Sequence, residues 1–421
     1  MNYTKVVKWI FNRLPIYQKY GYKCYKPGLN RIKSFCNYLG NPQKYFKSIH
    51  VGGTNGKGST VNMLYSILQE EGYKVGSFTS PHLLDFRERI SYNGKYIEKK
   101  FIIKFIEKNQ FFIEKKSISF FELNTAMAFQ YFKEKKVDLA VIEVGMGGRL
   151  DSTNIIIPEL SIITNISMDH MEILGKNELE IAFEKSGIIK KNVSVIIGPN
   201  NSKTIQYFFL IDSFKKNSPI YFVFPSKKDN LFQSSFDDVN YQYLNKELVL
   251  KTIDILKNRK NFFISKKSII DGLNNIKKNT SFKGRWEILK KKNPRIICDV
   301  AHNEKGIYMI NSQLNKESYE RLHLVLGFVK GKKINSFLNM FSYKKTYLYF
   351  CQPNIERKYD IQSLKILVNN FFLKNQHNNK NINFFKSVKM AFISAKKNAK
   401  NNDIILISGS TFVVSEVFLL L

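Results

Sequence analysis

Acidic residues are scarce in this sequence: 34 Asp and Glu stand against 67 Lys and Arg in 421 residues, a formal net charge of +33. Such an excess would suit a nucleic-acid-binding protein. But Lys, Asn, Ile and Phe, all read from A/T-rich codons, are abundant along the whole chain. The charge is therefore a composition bias, and no nucleic-acid partner is expected; the diffuse positive potential still attracts nucleotides and small polyanions. Cysteine is also sparse. Cys24, Cys36, Cys298 and Cys351 are scattered, with no C-x-x-C pair. That pattern excludes a disulfide framework and a structural zinc site, and points to reduced thiols in the cytoplasm. No apolar run approaches membrane-spanning length, so no membrane partner is expected. Lys5 and Lys8 interrupt the first apolar stretch, which speaks against a secretory signal. There is no exact internal repeat and no long stretch of disordered composition. The apolar fraction, 43%, is enough for globular folding over roughly two or three domains.

What is present is organised around Ile49-His50-Val51-Gly52-Gly53-Thr54-Asn55-Gly56-Lys57-Gly58-Ser59-Thr60. An apolar strand runs into glycines, then a lysine and hydroxyls, then the amphipathic run Val61 to Gln69. This is the grammar of a phosphate-binding loop. Glycines let backbone N–H groups converge on an anion, and the following helix aims its positive end at the same point. Lys57 supplies a point charge for the outer phosphates, and Ser59 or Thr60 a hydroxyl for a phosphate or magnesium. The usual spacing places four residues between the first Gly and the Gly-Lys pair; here Thr54 and Asn55 alone separate Gly53 from Gly56-Lys57. A glycine-rich turn without a ligand is the bland reading, and a costly use of four glycines.

Before the loop, helical spacing at Val6–Phe11 and Asn30–Leu39 flanks an irregular loop, Tyr17–Leu29, and the second helix stops at Gly40-Asn41-Pro42. After it, strands are expected at Lys74–Phe78, Val137–Val144, Leu160–Ile166 and Val193–Gly198, with helices at Phe101–Phe112, Asn124–Lys133 and Glu178–Ile189. Residues 200–240 carry little signal apart from strand-like Ile220–Phe224; Leu244–Leu256 and Ser268–Ile276 read as helices. A basic connector, Lys277–Arg285, leads to a second alternating series that opens with Arg295–Asp299 and its exit turn Val300-Ala301-His302-Asn303 and ends with Ile404–Ser408 and the turn Gly409-Ser410-Thr411. The class is α/β: a P-loop ATPase domain with a mainly parallel sheet, plus a smaller Rossmann-like α/β domain. The expected boundaries are 1–283, a linker 284–294, and 295–421, the last being about 125 residues, an ordinary domain size.

Val137–Val144 is the clearest strand, apolar on both faces, and it ends in Glu143 ahead of Gly145-Met146-Gly147-Gly148-Arg149-Leu150-Asp151. Ligands of open parallel sheets bind beyond the carboxyl ends of the strands. An acid there suits a magnesium ion in the manner of a Walker-B carboxylate; a capping or solvated Glu is the alternative.

These stretches, with Lys26-Pro27-Gly28-Leu29-Asn30-Arg31-Ile32, Thr79-Ser80-Pro81-His82-Leu83, Phe86-Arg87-Glu88-Arg89-Ile90, Phe120–Leu123, Met168-Asp169-His170, Glu184–Ile189, Gly284-Arg285-Trp286 and Asp299–Asn303, form an ordered set. The chain resembles the folylpolyglutamate synthase/dihydrofolate synthase family, relatives of the Mur ligases. The resemblance implies ATP-dependent amide formation: a pterin-linked carboxylate is phosphorylated to an acyl phosphate, and L-glutamate attacks it. The implied substrates are dihydropteroate or a reduced folate; the implied cofactors are ATP and two magnesium ions. By the same resemblance Gly53, Thr54, Asn55, Gly56, Lys57, Gly58 and Ser59 bind ATP phosphates. Ser80, Glu143 and His170 are implied magnesium ligands, and Lys185 is implied to be carbamylated beside them. A carbamate requires an uncharged amine, hence a lowered pKa. Arg285, Asp299 and His302 match nucleotide-contacting positions. Asn245, in Gln242-Tyr243-Leu244-Asn245, is a further nucleotide position, although the Gly usual upstream is replaced by Phe236-Asp237-Asp238-Val239-Asn240. Gly28, Leu29, Arg31, Phe121 and Glu122 match substrate-facing segments. Phe121 would either stack on a flat heterocycle or pack in the core, and Arg149 and Asp151 would face the acyl acceptor.

Lys57, Lys185, His170 and Arg285 are the expected catalytic set, since phosphoryl transfer needs positioning and charge neutralisation. As the parts lie in both domains, domain closure is expected to complete the site. The family expectation is a cytoplasmic monomer. Three alternatives remain at this point. They are a Mur-type ligase of cell-wall precursors, a nucleic-acid-dependent ATPase, which the dispersed lysines oppose, and a non-catalytic nucleotide-binding module.

Overall fold

The computed structural model describes residues 2–15, 21, 26–199, 201–224, 239–280, 282–332, 334–343, 345–375 and 381–421. Most of the loop expected at Tyr17–Leu29, and residues 236–238 ahead of Asn245, lie outside that range. The chain divides into two compact units, one running to Phe282 and the other beginning at Lys283.

The first unit is built on eight strands: β1 (Lys47–Gly52), β2 (Val75–Phe78), β3 (Ile90–Tyr92), β4 (Lys95–Tyr96), β5 (Leu139–Glu143), β6 (Leu160–Ile163), β7 (Ser194–Ile197) and β8 (Ile220–Phe222). Their order is β4-β3-β2-β5-β1-β6-β7-β8. From β2 to β8 all pairs are parallel, while β3 and β4 run antiparallel at one edge. β5 reads as an unbroken apolar run because both of its faces are covered. Ala140 and Ile142 enter the core under the helices Tyr3–Arg13, Asn30–Tyr38, Lys99–Lys115 and Phe120–Glu134. Leu139 and Val141 enter the opposite core, with the helices Lys57–Glu70, Asn240–Lys260 and Lys266–Asn274. This is the two-residue alternation of a strand between two helical layers. The chain leaves β1 toward β2, fills the gap with β5, then crosses to β6 on the other side. The carboxyl end of β1 therefore sits at a topological switch point, where open α/β sheets hold their ligands.

The second unit carries β9 (Glu287–Lys290), β10 (Arg295–Cys298), β11 (Leu322–Leu326), β12 (Thr346–Cys351), β13 (Ile382–Phe385) and β14 (Ile404–Ser408) in the order β13-β12-β11-β14-β10-β9. Every pair is parallel except β9 with β10. The segment expected as a linker, 284–294, thus contains an edge strand of this sheet.

Three elements differ from expectation for identifiable reasons. The β3–β4 hairpin was not expected, yet Asn93 (φ 43°) and Gly94 (φ 75°) supply the paired positive φ of a tight type I′ turn. The helix Lys203–Lys215 lies in the stretch of little signal. Its apolar residues surround the axis, leaving Tyr207, Leu210, Ile211 and Phe214 exposed, so no amphipathic period marks it. The helix expected over 178–189 ends at Ser186, where Gly187 lies so close to Arg149 that an added Cβ would come within 2.3 Å of its Cα.

The helix that follows the phosphate loop is held by an equally close approach. Ser66 Oγ donates to the carbonyl of Gly272 at 2.6 Å, and a Cβ on Gly272 would meet Ile67 Cα at 2.5 Å. Backbone cannot yield as a flexible side chain can. Gly272→Ala should therefore destabilise the first unit by about 1–3 kcal/mol through overpacking. Urea unfolding should show a lowered midpoint at unchanged slope; an unaltered midpoint would mean the two helices do not pack this closely.

Candidate functional site

The carboxyl ends of β1, β2, β5 and β6 lie along one edge of the first sheet, because these strands are parallel. β1 delivers the loop Gly53–Gly56. Gly53 (φ 130°) and Gly56 (φ 84°) take backbone angles that side chains disfavour. They also lack room: an added Cβ would lie 1.9 Å from Thr164 Oγ1 at Gly53, and 2.3 Å from Asn245 Oδ1 at Gly56. The loop is stitched to the segment after β6. Thr54 N donates to Asn165 O (2.9 Å), Asn55 N to Asn165 Oδ1 (3.1 Å), and Thr164 Oγ1 and Asn165 Nδ2 both donate to Asn55 O (2.6 and 3.0 Å). The helix Lys57–Glu70 then begins after Gly56, which offers no side-chain cap. Its first-turn N–H groups and positive dipole end suit an anion. The Ser59 and Thr60 hydroxyls are buried and have no hydrogen-bond partner among the described residues.

Two lysines converge on one carbonyl. Lys57 Nζ donates to Gly53 O (3.2 Å) and Thr54 O (3.1 Å). Lys185 Nζ, from the helix Glu178–Ser186, donates to Gly53 O at 2.9 Å. Lys185 is buried, and its pKa falls to about 7. Desolvation is the main cause and the Lys57 cation the next, with Asp169 and Asp151 pulling the other way. Glu143 ends β5 with a buried carboxylate that accepts from Ser80 N at 3.0 Å and lies 3.6 Å from where a Cβ on Gly58 would be. The structure therefore brings Ser80, Glu143 and the loop helix together.

His170 follows Asp169 in a left-handed conformation (φ 49°), its Nε2 4.0 Å from Asp169 Oδ2. Among the described residues no three His, Cys, Asp or Glu side chains converge. A cation resting on Glu143, hydroxyls, phosphate and water fits that donor set, because magnesium keeps several waters and takes few carboxylates.

The substrate-side residues form a second group. Arg31 pairs with Glu122 at 3.0 Å and donates to Lys26 O at 2.7 Å. Glu122 also closes a capping box with Ser119 at the start of the helix Phe120–Glu134. Gly28 (φ 112°) has open space at its Cβ, and Leu29 caps the helix Asn30–Tyr38. The Phe121 ring covers Gly145, with Cζ 2.4 Å from an added Cβ, and tilts against Phe78. Asp151 is buried, which raises its pKa, and binds backbone: Met146 N (2.9 Å) and Thr153 N (3.0 Å) donate to it. Arg149 is exposed and ion-paired with Glu184 at 2.7 Å. Asn245 adjoins Gly56, as the close approach above shows, and its Nδ2 donates to Gln242 Oε1 at 3.1 Å.

In the second unit, Asp299 accepts from Trp286 N (2.7 Å) and Ala301 N (2.9 Å). Val300 N donates to Gly284 O (3.0 Å). These bonds set the Arg285 turn beside the Asp299–Asn303 turn, where His302 Nδ1 lies 3.0 Å from Val300 O.

Sequence reasoning did not assign Arg89. Its guanidinium is buried, its pKa lowered to about 10 by desolvation against the pull of Glu143 and Glu88, and its Nε donates to His82 Nδ1 at 2.7 Å. The segment Phe86–Ile90 was the available signal. Thr164 and Asn165, which anchor the loop, carried none.

Comparison with known proteins agrees with this geometry. Residues 51–269 match the Mur ligase middle domain, and residues 284–411 the Mur ligase, glutamate ligase domain. A Bacillus subtilis protein named dihydrofolate synthase/folylpolyglutamate synthase is 30% identical over 99% of this chain and 98% of its own. A folylpolyglutamate synthase structure from Thermotoga maritima superposes with a TM-score of 0.78 at 32% identity, covering 100% of this chain and 96% of that one. E. coli FolC in complex with DHPP and ADP gives 0.82 at 25% identity, covering 100% and 97%. No helix among the described residues is long and apolar enough to cross a membrane.

Lys185 makes stability depend on pH with a definite sign. Its folded pKa, about 7, lies below that of the unfolded chain, near 10.4, so over that window the unfolded chain binds more protons and folding becomes more favourable as pH rises. Below about 7 the full cost of the buried cation remains. In CO2-free buffer, Lys185→Met should be more stable than the parent at pH 7, and the difference should shrink as pH approaches about 10. Urea midpoints of both proteins across that range provide the measurement; a constant difference would contradict a depressed lysine.

Proposed function

The chain belongs to the dihydrofolate synthase/folylpolyglutamate synthase family, and from that premise we propose that it joins L-glutamate to dihydropteroate or to a reduced folate, using ATP. The observation that carries this reading is the convergence of the Gly53–Ser59 loop, Lys57, Glu143 and buried Lys185 at the carboxyl ends of β1 and β5. An acceptor carboxylate oxygen attacks the γ-phosphorus of ATP, and ADP leaves. The glutamate amine then attacks the acyl carbon; the C–N bond forms, the C–O bond breaks, phosphate departs and the amine loses its proton.

The first-turn N–H groups of the loop helix, Lys57 and the Ser59 hydroxyl hold phosphate oxygens. Ser80, Glu143, His170 and a carbamylated Lys185 would hold two magnesium ions, which neutralise charge between two anions. The near-neutral pKa of Lys185 leaves a useful fraction of its amine uncharged for reaction with CO2. Asn245 is a further proposed nucleotide contact, a reading its position beside Gly56 supports. Within the second unit Arg285, Asp299 and His302 are the proposed nucleotide contacts. On the acceptor side, Gly28, Leu29 and Arg31 form the entry loop, Phe121 offers a ring for the pterin, and Glu122, Asp151 and Arg149 hold the surrounding backbone and helix. The proposal includes a cytoplasmic monomer that takes no nucleic acid. A cell-wall ligase is disfavoured, because the full-length relatives carry folate names.

Phosphate release tests this directly. With ATP, magnesium and glutamate, turnover should require dihydropteroate, a reduced folate or either one; failure with every acceptor would overturn the assignment. Arg285→Ala should lower kcat by about 100-fold, in keeping with loss of one charge-stabilising group, while an unchanged rate would remove Arg285 from the site. 13C-labelled bicarbonate should give a carbamate signal that Lys185→Met abolishes.

A further inference from the structure

A chain of polar groups runs through the apolar interior of the first unit and takes no part in the steps above. His50 lies on β1 with 0% exposure, paired in register with Ile142 of β5 and Ser161 of β6. Its Nε2 is 2.8 Å from Thr153 Oγ1. That hydroxyl has one proton, and donates it to Asp151 Oδ1 at 2.5 Å. Thr153 can therefore only accept from His50, which fixes the imidazole as the Nε2–H tautomer. Consistently, Nδ1 has no hydrogen-bond partner among the described residues: a lone pair is left unfilled there, which costs less than an orphaned N–H. Burial, with the Lys190 cation second, pushes the imidazole pKa down to about 3, so the donor persists at any working pH.

Asp151 passes the constraint on. Its Oδ2 accepts from Met146 N at 2.9 Å, and its Oδ1 from Thr153 N at 3.0 Å. Met146 belongs to the turn that follows Glu143, and the Phe121 ring closes on the neighbouring Gly145. The turn is thus held by a carboxylate and by an aromatic ring.

We infer that His50 is a positioning residue for the ligation: through Thr153 and Asp151 it fixes the Gly145–Met146 turn, and with it the carboxylate of Glu143. This rests on the proposed function for its kinetic readout. A misplacement of a fraction of an ångström at a charge-stabilising group lowers kcat without weakening nucleotide binding.

The full chain with His50→Leu should lose about tenfold in kcat while KM for ATP stays within about twofold. His50→Gln, which returns an N–H near the position of Nε2, should recover most of the rate. Thr153→Val should lose as much as His50→Leu, and the double variant no more than either, because the two act as one unit. A folded His50→Leu with the parent kcat, a Gln variant no better than Leu, or losses that multiply would each overturn the relay. If His50→Leu does not fold, Thr153→Val against Thr153→Ser carries the same comparison, with Ser expected to retain activity. A readout independent of activity is the 15N spectrum of histidine-labelled parent protein, assigned with His50→Gln. The imidazole signal that is absent from His50→Gln should be a neutral Nε2–H tautomer that does not titrate between about pH 5 and 9; an Nδ1–H tautomer there would contradict the relay. A parent chain inactive with every acceptor would instead strike the ligase reading, and the tautomer would still decide the His50–Thr153 bond.

Discussion

Two ammonium groups sharing the carbonyl of Gly53 is the constraint on which the site depends. Lys57 and Lys185 come from different helices and meet at one oxygen, 3.2 and 2.9 Å away. Like charges at that range in a buried setting repel strongly, and the carbonyl dipole alone does not offset it. Burial is the larger cause and the Lys57 charge the next, and together they push Lys185 toward its neutral form. This arrangement needs Gly53 itself: a side chain at φ 130° would strike Thr164, and the carbonyl would turn away. A single backbone position thereby sets where the Lys57 and Lys185 amines meet.

Acids are few in this chain, and many of the buried ones serve as backbone clamps. Glu88 accepts from the N–H groups of Leu83, Leu84 and Asp85. Asp151 accepts from Met146 and Thr153, Glu122 from Ser119, and Asp299 from Trp286 and Ala301. Each ties a turn that would otherwise leave its donors unpaired, and multiple N–H bonds favour a carboxylate's charged form. Asp151 shows the contest between these effects, because desolvation wins there and its pKa is raised. Glu143 accepts a backbone bond from Ser80, which orients the carboxylate. The same residue type holds loops in several places and faces the loop helix in one.

What could be read from sequence follows from what produces a local signal. The unbroken apolar run of β5, the glycine-lysine loop and the acid at a strand end are local patterns, and the parallel sheet with its ligand edge follows from them. The helix at 203–215 has no polar stripe to reveal it. The hairpin at Asn93-Gly94 did carry a turn signal, in two residues that are easily passed over. Asn165 and His50 act across more than 100 residues of sequence, through bonds that no local pattern encodes. Glu122 and Asp151 were expected to face substrate and instead spend their oxygens on an ion pair, a helix cap and a turn. Spacing identifies which side chains gather; it does not tell which of them hold the others.

The short loop spacing has a structural reason as well. In a longer loop, successive N–H groups can wrap an anion. Here Thr54 and Asn55 turn theirs to Asn165, and the carbonyl of Asn55 is taken by Thr164 and Asn165. That leaves the inner half of the loop bound to β6's exit segment and rigid. The part after Gly56 offers the start of the helix Lys57–Glu70, the Lys57 ammonium and the Ser59 hydroxyl, which is buried with no partner among the described residues. Glu143 lies against Gly58 at that helix start. A Cβ at Gly58 would meet that carboxylate at an ordinary contact distance, 3.6 Å. The compressed loop is thus one half of a pair, and its other half is the acid that ends β5.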